Sequence, residues 1–375
     1  MASKTLIAAA LTLAFAAGAL GAEPALRVGT SDDYPPFSLH GRGFDVDVAQ
    51  ALARDLGVHI AWVRFRWPEL RADVAADRFD VAMSGITWRP ERAVIGWMSR
   101  AVAQGGPCIV GDPASGPIAV NRGGVLESWA RRRFAADRLV AIDDNLSLPM
   151  LLAGGAVGAF VTDSFELSSR LRPAQAAVRC EPERDRKVYW IAPARAAELG
   201  PRIDRWLGEN EGRFTELRAR WLGRAASRGE VDNLIDQIAR RFAFMPAVGA
   251  WKRARGAPIE DPEREQAVLA AAERTARANG LDAESVRRFF AVQIDLAKSI
   301  EQRADRNTSP LDLEKEVRPA LSRIGERIVE GLAAVAPLDP GVLDEDRLAP
   351  LGELLNDQER ARLRSALIEV RRTGL

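Results

Sequence analysis

The sequence predicts a protein of multidomain α/β plus all-α class, in which a two-lobed α/β domain precedes an all-helical domain. Strand-like and helix-like segments alternate from residue 26 to 84, which is typical of a parallel α/β unit. The alternation restarts after Gly116, so a second α/β lobe follows the first. No strand pattern occurs beyond residue 230, where apolar residues recur at helical spacing. The length of 375 residues leaves room for both domains.

Residues 1–22 are predicted to form a secretory signal peptide. Lys4 precedes an apolar run at 6–20, and small residues follow at Gly21 and Ala22, where cleavage is expected. The run is too short to predict a membrane span, and no later segment is long enough. We therefore expect a periplasmic protein, exported by its signal peptide, with no membrane contact after cleavage.

Composition excludes several function classes. The formal net charge of +1 gives no reason to expect a nucleic-acid partner. His40 and His59 are the only histidines, and no metal-like spacing occurs, so we expect neither a metal site nor a catalytic triad. We expect no cofactor. Cys108 and Cys180 are candidates for a disulfide in an oxidising compartment.

The first domain is predicted element by element from its hydrophobic periodicity. In the first lobe, strands are expected at 26–30, 59–63 and 79–84, and helices at 46–56 and 69–76. In the second lobe, strands are expected at 118–120, 139–142 and 158–162, and helices through Trp129 and at 146–152. Segments 187–191 and 201–222 are expected to return to the first lobe. Ligands of such sheets bind beyond the carboxyl ends of the strands.

The stretch 241–265 carries cations at helical spacing. Arg241 and Lys252 are eleven residues apart, about three turns, so one helix would carry both on one face. Apolar residues at helical spacing would bury the opposite stripe of that helix, namely Val231, Leu234, Ile235, Ile238 and Phe242.

A second helix is predicted to begin at Asp261. Asp261 is a good N-cap and Pro262 a good first helical residue, so Arg264 and Glu265 lie in the first turn. The two helices would bring four charged side chains together without a nucleophile, an arrangement that suits binding of a small dianion. The structural alternative is a pair of solvated helix faces in an arginine-rich protein.

The segment 231–303 resembles the exported, all-helical class of chorismate mutase. The resemblance implies that Arg241, Lys252 and Arg264 bind chorismate, and that Arg318 on a later helix binds its second carboxylate. It also implies that Glu265 holds the substrate hydroxyl, and that Glu301 faces the ether oxygen together with the lysine.

This resemblance has two departures. Ala297 stands where relatives often have a hydroxyl, and Glu301 replaces an amide found in some of them. A Glu side chain donates to an ether oxygen only when protonated, so the activity is expected to depend on pH.

The first domain resembles the periplasmic solute-binding proteins for polar amino acids. The motifs that carry this resemblance are 34–37 (YPPF), 43–47 (GFDVD), 84–87 (SGIT) and 90–92 (PER). The resemblance implies that Thr87 and Arg92 hold a ligand carboxylate, and that Asp163 meets a ligand ammonium.

Residues 25–222 also resemble the cyclohexadienyl dehydratases, enzymes built on the same fold. The residues that carry this match include Trp67-Pro68, Asn121, Gly123-Gly124, and Thr162-Asp163 followed by Glu166. The resemblance implies that Glu166 is the catalytic acid, that Trp67 belongs to the site, and that Lys187 lines the cleft. Leu126 departs from the polar amide expected after the Gly-Gly turn.

Asp163 and Glu166 stand three residues apart and are expected to share a helix face. Each carboxylate should then raise the pKa of the other, and a closed cleft would add desolvation in the same direction. A carboxyl group that stays protonated near neutral pH can donate a proton to a leaving hydroxyl.

The two resemblances imply consecutive reactions, because prephenate is the product of the mutase and the substrate of the dehydratase. We expect a bifunctional enzyme that converts chorismate to phenylpyruvate, with chorismate and prephenate as substrates and a homo-oligomer as an open possibility. The alternative is an amino-acid-binding sensor or transport domain fused to an active mutase.

The predicted domain boundaries follow from these segments. They are a signal peptide at 1–22, the dehydratase domain at 23–223 with its second lobe at about 113–190, a linker at 224–230, and the mutase domain at 231–375. Asn356 and Glu359 form a predicted capping box for the last helix.

Overall fold

A computed structural model describes residues 25–168, 176–181, 185–223, 229–305, 308 and 311–374. The predicted signal peptide and residues 224–228 of the predicted linker lie outside the described residues. The described strands are β1 (Ala25–Thr30), β2 (Asp33–Tyr34), β3 (Ser38–Leu39), β4 (His59–Arg64), β5 (Val81–Ala82), β6 (Trp97–Met98), β7 (Ala103–Gly105), β8 (Pro107–Gly111), β9 (Ile118–Asn121), β10 (Leu139–Ile142), β11 (Ala159–Asp163), β12 (Val178–Cys180), β13 (Asp185–Lys187) and β14 (Trp190–Ile191).

Helices cover much of the rest of the described chain. They are α1 (Phe44–Leu56), α2 (Leu70–Ala75), α3 (Pro90–Ala93), α4 (Val125–Arg133), α5 (Leu148–Ala153), α6 (Pro193–Glu209), α7 (Glu211–Leu222), α8 (Glu230–Ala243), α9 (Met245–Arg255), α10 (Pro262–Ala278), α11 (Ala283–Arg303), α12 (Arg318–Val335), α13 (Glu345–Leu348) and α14 (Asp357–Ile368). The prediction of an α/β part followed by a helical part is confirmed.

The first lobe is built on a five-stranded sheet with strand order β4-β1-β5-β14-β6. Strands β4, β1 and β5 are parallel, whereas β14 pairs antiparallel with both β5 and β6. The late segment 187–191 therefore returns to the first lobe, as predicted. The segment 201–222 lies in two helices, α6, which begins at Pro193, and α7, which begins at Glu211.

The second lobe has a five-stranded sheet with strand order β10-β9-β11-β8-β12. It begins with β8 at Pro107 rather than near 113, and the chain is already in the first sheet by Trp190. The sheet of the second lobe therefore begins before the predicted limit of about 113. β8 pairs antiparallel with β11, and the parallel βα alternation that guided the prediction contains no signal for such a strand.

Two short strands connect the lobes. β7 leads out of the first lobe, β13 leads back, and the two pair antiparallel with Lys187 opposite Ala103. Residues 86–88 run alongside β13: Trp88 N donates to Arg186 O at 2.9 Å, and Val188 N donates to Ile86 O at 2.8 Å. The crossing strands therefore lie directly beside the SGIT motif.

Cys108 and Cys180 are joined by a disulfide that ties β8 to β12 and closes a separation of 72 residues. A crosslink over a loop of that length stabilises a fold by about 4 kcal/mol, chiefly by restricting the unfolded chain. We expect no free thiol in the unreduced, denatured protein by thiol titration, and a lower free energy of unfolding after reduction. A titration that finds two thiols per chain would contradict this bond.

The helical part contains one departure from the predicted helices. The single helix expected to carry Arg241 and Lys252 is divided at Phe244 into α8 and α9. Pro246, in the first turn of α9, has no N–H to donate to the carbonyl of Phe242, so the hydrogen-bond ladder is interrupted there. The predicted start of α10 is confirmed, since the Asp261 side chain accepts from Arg264 N at 3.1 Å.

The helical part packs directly on the first lobe through α8 and α12. The Trp88 ring meets the Phe244 ring edge to face, with centroids 6.0 Å apart. Arg240 donates to Ser99 O at 2.9 Å, and Arg327 donates to Met98 O at 3.1 Å. Apolar residues of both parts form one continuous buried cluster, so the two domains share a core.

Candidate active sites

A cavity of about 200 Å³ lies among the helices of the C-terminal part. All six charged residues predicted for the mutase site line it, together with Ala297. These residues are Arg241 on α8, Lys252 on α9, Arg264 and Glu265 on α10, Glu301 on α11 and Arg318 at the start of α12. The break at Phe244 therefore does not separate Arg241 from Lys252.

Lys252 and Glu301 form the polar centre of this cavity. The Lys252 ammonium donates to Glu301 Oε2 at 2.8 Å and to the backbone carbonyl of Ile259 at 2.6 Å. Burial raises the pKa of Glu301, while the Lys252 hydrogen bond and charge lower it and the Glu265 carboxylate raises it. An ammonium fixed by two acceptors is a preorganised positive charge.

Arg241 is a buried cation at the wall of the cavity. Its side chain lies over the Phe290 ring at 5.9 Å, and its Nε has no hydrogen-bond partner within the described residues. Burial, together with the nearby Arg264 charge, lowers the pKa of Arg241 to about 10, and Glu301 opposes that shift. A buried cation with an unused donor favours an anionic ligand at this point.

Arg318 and Glu265 are held by neighbouring charges. Arg318 donates to Glu314 Oε2 at 2.5 Å and to Asp261 Oδ2 at 3.5 Å. Glu265 accepts from Lys298 Nζ at 3.4 Å. Lys298 and Asp261 line the cavity although the sequence analysis did not select them as site residues.

A second cavity, of about 40 Å³, lies in the cleft between the two lobes. Five of the residues that the resemblance implied for the site line it, namely Trp67, Thr87, Arg92, Glu166 and Lys187. The other lining residues include Tyr34, Asn121, Leu126 and Asn145. Leu126 thus contributes an apolar surface at the position where a polar amide was expected.

The local structure around Asp163 and Glu166 differs from the prediction. Asp163 is the last residue of β11, and Glu166 begins a short 3-10 turn, so the two do not share a helix face. A spacing of three residues suits a turn as well as a helix. The two carboxyl groups are nonetheless close enough for the Asp163 charge to raise the pKa of Glu166.

Glu166 is fully buried and held from both sides. Asn145 Nδ2 donates to its Oε1, and the Thr162 hydroxyl donates to its Oε2. Burial raises the pKa of Glu166 to about 7 and the Asp163 charge adds to this, whereas the hydrogen bonds from Thr162 and Asn145 oppose it. The carboxyl group can therefore carry a proton near neutral pH.

Asp163 lies behind Lys187 and is not among the residues that line the cavity. Its Oδ2 is 2.7 Å from Lys187 Nζ, and both side chains are almost completely buried. Lys187 also donates to Thr87 Oγ1 at 3.0 Å and to the Tyr34 hydroxyl at 3.3 Å. The resemblance implied that Asp163 contacts the ammonium group of a ligand. In the structure, the Lys187 ammonium occupies that position.

Arg92 and Trp67 complete the cleft. Arg92 donates to Thr87 O at 3.1 Å, and burial followed by the Arg89 charge lowers its pKa to about 10. Trp67 Nε1 donates to Asp33 Oδ1 at 3.3 Å, and its ring meets the Tyr34 ring edge to face. These two residues place a half-buried cation and an aromatic wall beside Glu166 and Lys187.

The residues that hold the predicted side chains in place were not predicted from the sequence. Asn145 was not selected, although it follows the end of β10 on the same side of the sheet as Glu166. Asn145 follows β10, a strand that was predicted correctly, and ligands of such sheets bind beyond the strand ends. That position could have identified Asn145 as a site residue. Within the described residues, no group of three or more His, Cys, Asp or Glu side chains is arranged to hold a metal ion.

Comparison with protein families gives two matches. The model of the bacterial extracellular solute-binding proteins, family 3, matches residues 26–253, and the model of chorismate mutase type II matches residues 230–302. The two matches overlap across α8 and most of α9. A cyclohexadienyl dehydratase of Pseudomonas aeruginosa is 32% identical over 222 residues, covering 52% of this chain and 82% of that relative.

Other relatives match a part of this chain. The L-cystine-binding protein of Escherichia coli is 28% identical over 155 residues, covering 37% of this chain and 58% of that protein. The structure of an ancestral amino-acid-binding protein, described as a precursor of cyclohexadienyl dehydratase, is 25% identical with a TM-score of 0.47, covering 53% of this chain and 95% of that one. An ancestral cyclohexadienyl dehydratase is 28% identical with a TM-score of 0.34, covering 55% and 98% of the two chains.

Two α/β lobes joined by crossing strands, with a polar cleft between them, define the solute-binding class of fold. The chain belongs to the bacterial extracellular solute-binding proteins, family 3, and continues into a helical domain that matches chorismate mutase type II. None of the helices among the described residues combines the length and the apolarity needed to cross a bilayer.

Proposed function

We propose that this protein is a bifunctional enzyme that converts chorismate to prephenate in its helical domain and prephenate to phenylpyruvate in its two-lobed domain. The observation that carries the proposal is the pairing of a cation-lined cavity in a mutase-type domain with a buried, protonatable Glu166 in a dehydratase-like cleft. The product of the first site is the substrate of the second.

The helical cavity supplies what a unimolecular rearrangement requires. Chorismate is a dianion whose carbon–oxygen ether bond breaks as a carbon–carbon bond forms, so neither a nucleophile nor an external proton is needed. Arg241, Arg264 and Arg318 bind its carboxylates and select a compact conformer. Lys252 and a protonated Glu301 donate to the ether oxygen as negative charge develops there.

The cleft supplies what dehydration with decarboxylation requires. Glu166 gives its proton to the ring hydroxyl, which leaves as water. The electron pair of the bond to the ring carboxylate then moves into the ring, carbon dioxide leaves, and the product is aromatic. Arg92, Thr87 and Lys187 bind the carboxylates of prephenate and hold the leaving hydroxyl against Glu166.

Dehydratase activity is expected to fall as pH rises above 7. Only the protonated form of Glu166 can donate, and its pKa is raised to about 7 by burial. The value of kcat/KM should therefore be level below that pKa and should fall about tenfold per pH unit above it. Steady-state rates with prephenate from pH 6 to 9 measure this. A profile without a decrease above neutral pH would contradict a protonated Glu166 as the acid.

Mutase activity is expected to rise as pH falls towards the raised pKa of Glu301. The protonated carboxyl can donate to the ether oxygen, whereas the carboxylate repels the charge that develops there. Glu301→Gln provides a neutral donor at every pH, so its kcat/KM should stay level where that of the wild type decreases. Parallel pH profiles for the two proteins would remove Glu301 from this role.

Export and domain limits complete the proposal. A signal peptide at 1–22 would deliver the chain to the periplasm, an oxidising compartment that suits the disulfide between Cys108 and Cys180. The domain limits we propose are 23–223 and 231–375, with the short linker between them. Mass spectrometry of the mature N-terminus would test the cleavage site.

The competing function is a solute-binding module fused to a working mutase, which the similarity to an L-cystine-binding protein favours. The Lys187–Asp163 ion pair argues against it, because Asp163 already has an ammonium partner and a ligand ammonium would meet Lys187. Following prephenate and phenylpyruvate over time after adding chorismate separates the two. Accumulation of phenylpyruvate supports the bifunctional enzyme, and prephenate that persists supports the binding module.

A further inference from the structure

The segments that line the dehydratase cleft have a second face, which is covered by the mutase domain. Residues 86–88 and β13 run side by side, with Thr87 opposite Lys187. Successive side chains of extended chain point to opposite sides. Thr87 and Lys187 point into the cleft, so their neighbours Trp88 and Arg186 point away from it, towards α8.

Arg186 forms an ion pair across the domain boundary. Its Nε donates to Asp236 Oδ1 on α8, and the two side chains are only 10% and 2% exposed. Trp88 also packs against α8 and its C-terminal end. Its ring meets the Phe244 ring edge to face, and the Arg240 guanidinium lies 5.5 Å from the centroid of the Trp88 ring. Both cleft-lining segments are therefore fixed from behind by the same helix.

Other charged side chains surround the Arg186–Asp236 pair. Arg240, one turn further along α8, also interacts with Asp236, and burial lowers the pKa of Arg240 to about 9. Asp185, on the other side of Arg186, is bound to Arg89 at 2.7 Å, so it is engaged within the first domain. Removing the Asp236 charge would break this ion pair between two buried side chains, which is strongly unfavourable.

We propose that Asp236, a residue of the mutase domain, is a positioning residue of the dehydratase. It holds Arg186, and through β13 it sets the position of Lys187 in the cleft. The mutase domain then has a second role, as the support of the neighbouring active site. This inference rests on the proposed dehydratase function, and Asp236 itself touches neither substrate.

The test is Asp236→Asn in the full-length protein, assayed separately with prephenate and with chorismate. We expect KM for prephenate to rise about tenfold, because Lys187 binds substrate, while mutase kcat/KM changes by less than about twofold. Asp232→Asn is the matched control, since Asp232 lies on the same helix but pairs with Arg347 inside the mutase domain at 2.8 Å. The control should leave the kinetics with prephenate unchanged.

A merely structural role predicts a different pattern. Partial unfolding would reduce kcat per chain with KM unchanged, and it would lower both activities together. In the double variant Arg186→Gln/Asp236→Asn, which removes both buried charges, KM should rise less than the product of the two single effects. An unchanged KM in Asp236→Asn, equal losses in both activities, or single effects that simply multiply would each overturn the proposal.

The positioning role can still be tested if the wild-type protein does not consume prephenate. That result would overturn the proposed dehydratase function but not the positioning role, which calorimetric titration with prephenate would then measure. The Kd of Asp236→Asn for prephenate should be about tenfold larger than that of the wild type. Equal Kd values, or no binding by the wild type, would overturn the positioning role as well.

Discussion

Replacing Glu166 with Gln is expected to lower the rate of phenylpyruvate formation from prephenate by about 10² to 10⁴-fold, the usual contribution of a positioned general acid. Glutamine has nearly the same shape and still accepts a hydrogen bond from Thr162, but its amide cannot give up a proton to the leaving hydroxyl. The buried site also offers no easy route for water to replace the acid, since Glu166 is 0% exposed.

The bifunctional chain contains its own control for this experiment. Mutase activity with chorismate should be unchanged in Glu166→Gln, which would show that the protein is folded and correctly quantified. Glu198→Gln is a matched variant, because Glu198 is an exposed glutamate on α6 whose side chain is 67% accessible. Phenylpyruvate formation at the wild-type rate in Glu166→Gln would exclude Glu166 as the acid.

Local chemistry made parts of the fold predictable from sequence. The start of α10 depends on Asp261 and on the proline after it, and both act within one turn. The capping box at Asn356 and Glu359 is present for the same reason. Strand β10 lies at 139–142 as predicted, because its composition and its flanking turns determine it locally.

The errors lie where local pattern is compatible with two structures. Apolar periodicity continues through Phe244, so it did not indicate the break that Pro246 imposes between α8 and α9. A spacing of three residues between Asp163 and Glu166 fits a helix face, yet the pair occupies a strand end and a 3-10 turn. Arg241 and Lys252 still line one cavity, and Asp163 still lies close enough to Glu166 for its charge to act on it, because tertiary packing decides where an element directs its side chains.

Long-range pairs were beyond the reach of sequence reasoning. Lys187 and Asp163 were each predicted to lie in the cleft, but nothing in the sequence indicates that they form an ion pair with each other. Arg186 and Asp236 are 50 residues apart and lie in different domains. Such pairs depend on how two folded surfaces meet, which no periodicity or cap can encode.

Replacing Lys252 with Arg is expected to lower mutase kcat/KM by about 10² to 10³-fold, the usual effect of losing one preorganised donor to a developing oxyanion. The Lys252 ammonium sits between Glu301 Oε2 and Ile259 O, at 2.8 and 2.6 Å. A guanidinium is longer and planar, so it cannot occupy this point without displacing one of these acceptors. α9 also packs so closely on α11 that a Cβ placed on Gly249 would lie 2.4 Å from the Glu301 carbonyl, which leaves little room to adjust.

The choice of arginine makes this test strict, because the variant keeps the positive charge and changes only its shape. Lysine is rare in this arginine-rich chain, and the exposed Lys315 offers a matched control in Lys315→Arg. Dehydratase activity with prephenate should be unchanged in both variants. If Lys252→Arg retained mutase activity within about threefold of the wild type, charge alone would suffice at this position, and the requirement for a compact ammonium at the ether oxygen would be wrong.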